Sequence, residues 1–244
     1  MAELAEGPND TIVEHRTLIR DDVELPVVHA RCEGMPRAGI VLHPDIMGLR
    51  PLFEDMARRL ASHGFAVCAI EPFARRSEAE RAAATDGMAR FAWLPELDDS
   101  GQLGDLDAAA NLLVVEDDVS RVGVLGFCMG GYYVLKAAAT ERYDAAVAFY
   151  GMIRTPDGWG NDTRTDPIDH ARDTVPTLAI FGSADTFTPP GDIDALRAAW
   201  STRSDCEIVV VEGAEHGFVH APDRPAHRPD DAARLWPLAL DWLG

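Results

Sequence analysis

The segment RVGVLGFCMGG, Arg121 to Gly131, decides the fold. Its first seven residues form an apolar, β-branched run with the character of a buried strand. The glycines that follow open a predicted helix reaching about Thr140. Cys128 sits between the two elements, with Gly126 two residues before it and Gly130 two after. A reactive side chain at the apex of a tight strand-to-helix turn is held in a strained backbone conformation, and its flanking positions come too close to other backbone to carry side chains. Such a turn also aims the N–H of Met129, at a helix N-terminus, toward whatever Cys128 attacks, and the positive end of the helix favours thiolate and oxyanion alike. Standing alone, the pattern is equally a tight turn beside a buried cysteine; its place between strand and helix favours the nucleophile.

Outward from this turn, apolar runs recur at 38–43 (AGIVLH), 65–70 (FAVCAI), 145–150 (AAVAFY), 177–181 (TLAIF) and 207–211 (EIVVV), with helical segments between them. One helix is predicted over 52–63, ending at Gly64, and an antiparallel strand pair over 11–31 at one edge. Strand–helix alternation predicts an α/β fold with a mostly parallel central sheet and helices on both faces. Ligands of such sheets bind beyond the carboxyl ends of the strands. Two of the residues found there extend the reading of Cys128. Asp185 follows the run at 177–181, and His216 follows the last strand, so nucleophile, acid and histidine come in the order this architecture uses. Taken separately, Asp185 is an Asx turn or helix cap and His216 a loop histidine; together at three strand ends they read as a triad. His216, His220 and His227 also suggest a metal cluster, but Gly217 and the nearby prolines place them in a loop, and no metal is expected.

Two stretches interrupt the alternation, 77–104 and 152–173, and both are read as excursions over the active-site face. Residues 1–10 read as a loose tail and 11–244 as one domain. A net charge of −19 argues against nucleic acid, since phosphate binding needs clustered Lys and Arg; the basic residues are nearly all Arg, with Lys136 the only lysine. No apolar run approaches the ~18 residues of a membrane span, and a cytoplasmic location is expected. The four cysteines are scattered, with neither a disulfide framework nor a zinc pattern, and Cys68 and Cys206 read as core. No cofactor is implied: there is no dinucleotide fingerprint after the first strand, and 126–131 lacks the phosphate-loop lysine.

With these residues in place the chain resembles the dienelactone hydrolase family of α/β-hydrolases. That family's cysteine elbow, G-(Y/F)-C-x-G-G, is matched by Gly126 to Gly131. Its acid motif, Gly-x-x-Asp-x-(Phe)-x-Pro, is similar to Gly182 to Pro189, and its histidine motif, Gly-x-x-His-x-Phe, to Gly213 to Phe218. The family's Glu-Ile-Phe-Gly turn resembles Asp45 to Gly48, and its Asp-Leu-Tyr-x-Arg stretch resembles Glu71 to Arg75. The likeness runs collinearly over residues 38–220.

The resemblance implies a Cys128–Asp185–His216 triad, an oxyanion hole of the Ile46 and Met129 N–H groups, and an ester or lactone substrate cleaved through an acyl-thioester. It also implies that Asp45 takes the role of the family's turn glutamate, which contacts the resting cysteine and helps form the thiolate. Two departures stand out. Asp45 is one methylene shorter than glutamate, and His220 occupies the place, four residues beyond the histidine, of an arginine that binds the substrate carboxylate. His220, charged only partly near neutral pH, and Arg81 are then the candidate substrate contacts. The competing readings are a carboxylesterase or thioesterase acting on an unrelated acyl group, and a non-catalytic ligand-binding or redox-sensing protein of the same fold.

Overall fold

The computed structural model describes residues 4–160 and 164–244. Eight strands form one sheet, in the order β1-β2-β4-β3-β5-β6-β7-β8. β1 (Thr11–Arg20) and β2 (Val23–Cys32) are the antiparallel pair expected at one edge, and β2 also runs antiparallel to β4. β3 (Ala38–His43), β4 (Phe65–Ile70), β5 (Val122–Phe127), β6 (Ala145–Phe149), β7 (Thr177–Gly182) and β8 (Cys206–Val211) are parallel. The strands β3 to β7 are buried along their whole length, which is why they read as unbroken apolar runs rather than alternating ones. β8 forms the far edge and is half-buried, so Cys206 is only partly covered, whereas Cys68 is fully buried.

α1 (Pro51–Ser62) starts with proline in its first turn, where the missing N–H costs nothing. It buries Phe53, Met56 and Leu60, and ends before Gly64 at φ 91°. The excursion at 77–104 holds two short helices, α2 (Glu78–Ala83) and α3 (Gly87–Phe91), and the start of α4 (Asp99–Glu116). α5 (Met129–Ala137) follows Cys128 directly and is buried throughout. α6 (Pro167–His170), α7 (Pro190–Ala199) and α8 (Pro229–Leu243) complete the chain. β3 lies between β4 and β5, so the chain leaves it to one side and later returns on the other. The crevice at that reversal is where open α/β sheets bind ligands, and the two turns above it carry Asp45 and Cys128.

The expectation of a loose N-terminus is corrected for residues 4–10. Leu4 is buried in the core, its carbonyl accepts from Arg59 Nη1 at 2.8 Å, and Gly7 N–H donates to Ser62 Oγ at 2.8 Å. One apolar side chain and these hydrogen bonds, joined by others from Asn9 to Ser62 O and from Arg58 to Glu6, pin this polar segment to α1; residues 1–3 of the expected tail lie outside the described residues.

Candidate active site

Cys128 occupies the turn between β5 and α5 at φ 56° and ψ −118°. Few non-glycine residues tolerate such a backbone, and it persists only where the surroundings over-determine it. Here they do: Cys128 N–H donates to Phe149 O at 3.0 Å, and its carbonyl accepts from Tyr132 N–H at 3.0 Å. A Cβ on Gly130 would lie 2.2 Å from His43 O, and one on Gly126 would lie 2.5 Å from Gly130 C. Both glycines are therefore fixed by backbone approaching backbone. Met129 is the first residue of α5, so its N–H has no intrahelical acceptor.

Asp185 and His216 come from the loops after β7 and β8. Asp185 is buried; its Oδ1 accepts from Phe187 N–H at 2.8 Å and its Oδ2 from His216 Nδ1 at 2.7 Å. A carboxylate can only accept, so His216 carries its proton on Nδ1. Its Nε2 is buried, with no hydrogen-bond partner among the described residues. Burial disfavours the imidazolium, yet Cys128 and the Asp185 carboxylate outweigh it and push the His216 pKa up to about 10. The ring rests against Phe187 (centroids 4.8 Å apart) and edge-on against Tyr150 (5.3 Å).

Cys128, only 8% exposed, and His216 open on one cavity of about 470 Å³. Phe91, Met152, Trp159 and Phe187 supply its apolar and aromatic walls, and Ile46 lines it as well. Both excursions thus reach the cavity, the first through Gly87 and Phe91, the second through Met152 and Trp159.

Asp45 lies at the cavity edge but is engaged elsewhere. Oδ1 accepts from Met47 N–H at 2.9 Å and Arg50 Nη1 at 2.6 Å, and Oδ2 from Arg50 Nη2 at 2.9 Å and His220 Nε2 at 2.8 Å. Burial alone would raise its pKa, but His220 and Arg50 hold it well below the usual carboxylate range. The expected bond to Cys128 is absent among the described residues: a side chain one methylene shorter than glutamate is captured inside its own turn. A carboxylate so firmly ionised is a poor proton acceptor.

The two expected substrate contacts are also corrected. His220 is 0% exposed and does not line the cavity; its Nδ1 meets Tyr150 Oη at 2.5 Å and its ring stacks on Phe127 with centroids 5.0 Å apart. Arg81, in α2, bonds to the Arg76 carbonyl and lines a separate groove with Arg16, Arg75 and Arg76. The arginines that do line the cavity are Arg50, paired with Asp45, and Arg224. Arg224 packs over Gly217: a Cβ there would lie 2.7 Å from its Cζ. Counting four residues from His216 missed it because Gly217, at φ 80°, and the turn closed by Arg224 N–H on Ala221 O redirect the chain.

A mostly parallel sheet whose order reverses beside a strained cysteine turn defines an α/β-hydrolase. The chain belongs to the dienelactone hydrolase family, whose model matches residues 25–244. Enzymes of this type hydrolyse ester or lactone bonds, and this chain is a carboxylic ester hydrolase of that kind. It is 31% identical to a Methylorubrum extorquens protein bearing the name carboxymethylenebutenolidase, over 98% of this chain and 83% of that one. It is also 31% identical to a Bradyrhizobium protein named as a 2-oxo-3-(5-oxofuran-2-ylidene)propanoate lactonase, over 84% of this chain and 82% of that one. The crystal structure of a dienelactone hydrolase from Klebsiella pneumoniae superposes with a TM-score of 0.88 at 27% identity, covering 96% of this chain and 98% of that one. Among the described residues no helix is long and apolar enough to cross a membrane.

Proposed function

We propose that the chain opens small enol-lactones or cleaves activated esters through an acyl-thioester on Cys128. The observation that carries this reading is the cavity shared by a strained, nearly buried cysteine and a histidine whose Nδ1 is fixed by Asp185. With Nδ1 committed, His216 Nε2 is the atom that exchanges protons with sulfur and substrate. Transfer of the sulfur's proton to Nε2 gives thiolate and imidazolium, a step that the raised His216 pKa favours. The thiolate adds to the carbonyl carbon, and the carbonyl oxygen becomes an oxyanion between the N–H groups of Ile46 and Met129. One such donor is typically worth ~2.7–4 kcal/mol. Collapse breaks the acyl–oxygen bond, and the leaving oxygen takes the proton from His216, departing as an alcohol or enol. Neutral His216 then removes a proton from water, which attacks the thioester and releases acid and thiolate. Asp45 acts by fixing the turn that carries Ile46, rather than as a base.

Sulfur suits substrates whose leaving oxygen is already good, because thiolate is itself expelled readily; amides are correspondingly disfavoured. The aromatic walls suit a flat, unsaturated acyl group, and Arg224 suits a carboxylate on it. A lactone bearing a propanoate, as in the name of the Bradyrhizobium relative, has both features. The test is hydrolysis of a panel of enol-lactones and activated esters by wild type and Cys128→Ala, with mass spectrometry of the acid-quenched enzyme. Turnover lost in the variant, and an acyl adduct on the Cys128 peptide, support the reading. Turnover retained by Cys128→Ala refutes it.

A further inference from the structure

We propose that His220 is a positioning residue, whose buried imidazole ties the Asp45 turn to Tyr150 and so sets the oxyanion-binding backbone and the support of His216 together. The proposal rests on the reading of Cys128 as nucleophile. Three contacts surround the ring, each with a separate part of the site. Nε2 faces the Asp45 carboxylate at 2.8 Å and must donate to it. Burial lowers the pKa of His220, so the ring is neutral, and Nδ1 accepts from Tyr150 O–H at 2.5 Å. Its face stacks at 29° on Phe127, the residue that leads into the cysteine turn.

Each partner bears on the chemistry. Asp45 holds the turn containing Ile46, since its Oδ1 also takes the Met47 N–H. Without His220, Oδ2 keeps only Arg50, a partly exposed side chain that can move with it toward the cavity. The charge of Asp45 would survive, while its position would not. Tyr150 stands at φ 41° directly after β6 and presents its ring edge to His216. A non-glycine residue in that region needs several restraints to hold it there. Its N–H bond to Ile180 O at 2.7 Å is one, and the hydroxyl on His220 is the other. Where an arginine, which only donates, would need an acceptor on each side, a neutral imidazole donates on one side and accepts on the other.

The test compares wild type with His220→Phe, which keeps a flat ring and loses both hydrogen bonds, and His220→Gln, whose amide can donate to Asp45 while accepting from Tyr150. The readouts are kcat, KM and the inhibition constant of a trifluoromethyl ketone analogue of the best ester. That ketone adds the Cys128 sulfur to its carbonyl carbon, and the oxygen becomes an alkoxide in the oxyanion hole. His220→Phe should lose at least tenfold in kcat and in affinity for the ketone, with KM within about threefold, and His220→Gln should recover most of both losses. A merely structural histidine would not give this split, nor would the glutamine rescue it. His220→Phe within twofold of wild type overturns the proposal, as do equal losses in both variants, which would leave ring packing alone. Should His220→Phe not fold, Tyr150→Phe decides: a several-fold loss of ketone affinity supports the proposal, and none overturns it. Wild type that neither turns over nor captures the ketone fails at Cys128 itself, which separates that failure from one confined to His220.

Discussion

Asp185→Asn leaves the side-chain volume nearly unchanged while exchanging one acceptor oxygen for an NH2 donor and removing the charge, which makes it a sharp probe of the proposed mechanism. The two carboxylate oxygens have distinct tasks: Oδ1 accepts from Phe187 N–H at 2.8 Å and Oδ2 from His216 Nδ1 at 2.7 Å. An asparagine must put its NH2 at one of these places. Toward Phe187, the amide would set two donors face to face in a buried site, at about 1–3 kcal/mol for the unpaired group. The amide oxygen therefore stays with Phe187, and the NH2 faces Nδ1. His216 must then accept at Nδ1 and carry its proton on Nε2, the atom that has to take one. The corresponding change in a serine triad costs about 10⁴ in kcat. A thiol gives up its proton more readily than a hydroxyl, so a loss of about 10²–10³ is expected here, or about 3–4 kcal/mol of transition-state stabilisation. The assay is steady-state hydrolysis of an activated ester, with thermal unfolding alongside to show that the fold persists. A kcat within tenfold of wild type, in protein with an unchanged melting temperature, would refute Asp185 as the group that fixes the His216 tautomer.

Arg224→Ala should raise KM about five- to tenfold for a carboxylate-bearing ester while leaving a neutral analogue within twofold, as befits about 1 kcal/mol from an exposed charge; equal effects on both esters would exclude anion recognition. Gly130→Ala drives a Cβ to 2.2 Å from His43 O and 2.5 Å from Pro44 O, both backbone atoms. Urea denaturation should show a stability loss of at least about 2–3 kcal/mol, with activity abolished. Because the folded His216 pKa is raised to about 10 from 6.5, the stability it contributes is complete below about pH 6.5 and is lost as pH rises through about 10. Cys128→Ser removes a group that helps raise it, so the pH at which the His216 ring titrates in the folded protein, followed by NMR, should fall in that variant; an unchanged titration would refute the coupling.

Features enforced by local sterics were legible in the sequence. Gly126, Cys128 and Gly130 announce their turn because backbone approaches backbone there, and the parallel strands announce themselves because both faces are covered. Asp185 and His216 were placed by strand ends and chain order, which the sheet topology imposes. α4 was less legible: its buried stripe of Leu106, Ala109, Ala110 and Leu113 is half alanine, and apolar residues also lie outside it, Val115 being 80% exposed. The docking of Leu4, a single apolar residue in a polar segment, was not legible. Substrate contacts proved hardest to read, because a loop residue's direction depends on backbone angles that spacing does not encode. His220 turned inward and Arg224 reached the cavity for that reason.

The two departures from the family pattern, Asp45 for glutamate and His220 for arginine, look independent in the sequence and lie 175 residues apart. In space they are one bond, 2.8 Å long, and each makes sense of the other. The shorter carboxylate is held by Met47 and Arg50 of its own turn and takes one more donor from outside it. A buried histidine supplies that donor without adding a charge, and passes its remaining lone pair to Tyr150. In the proposed mechanism, formation of the thiolate then falls to His216, whose pKa is raised in part by Cys128. Arg224, proposed above to meet an anionic substrate, reaches the cavity by a different turn of the same loop. What the sequence presented as two substitutions is a single rearrangement, in which one residue's loss of reach is answered by another's change of role.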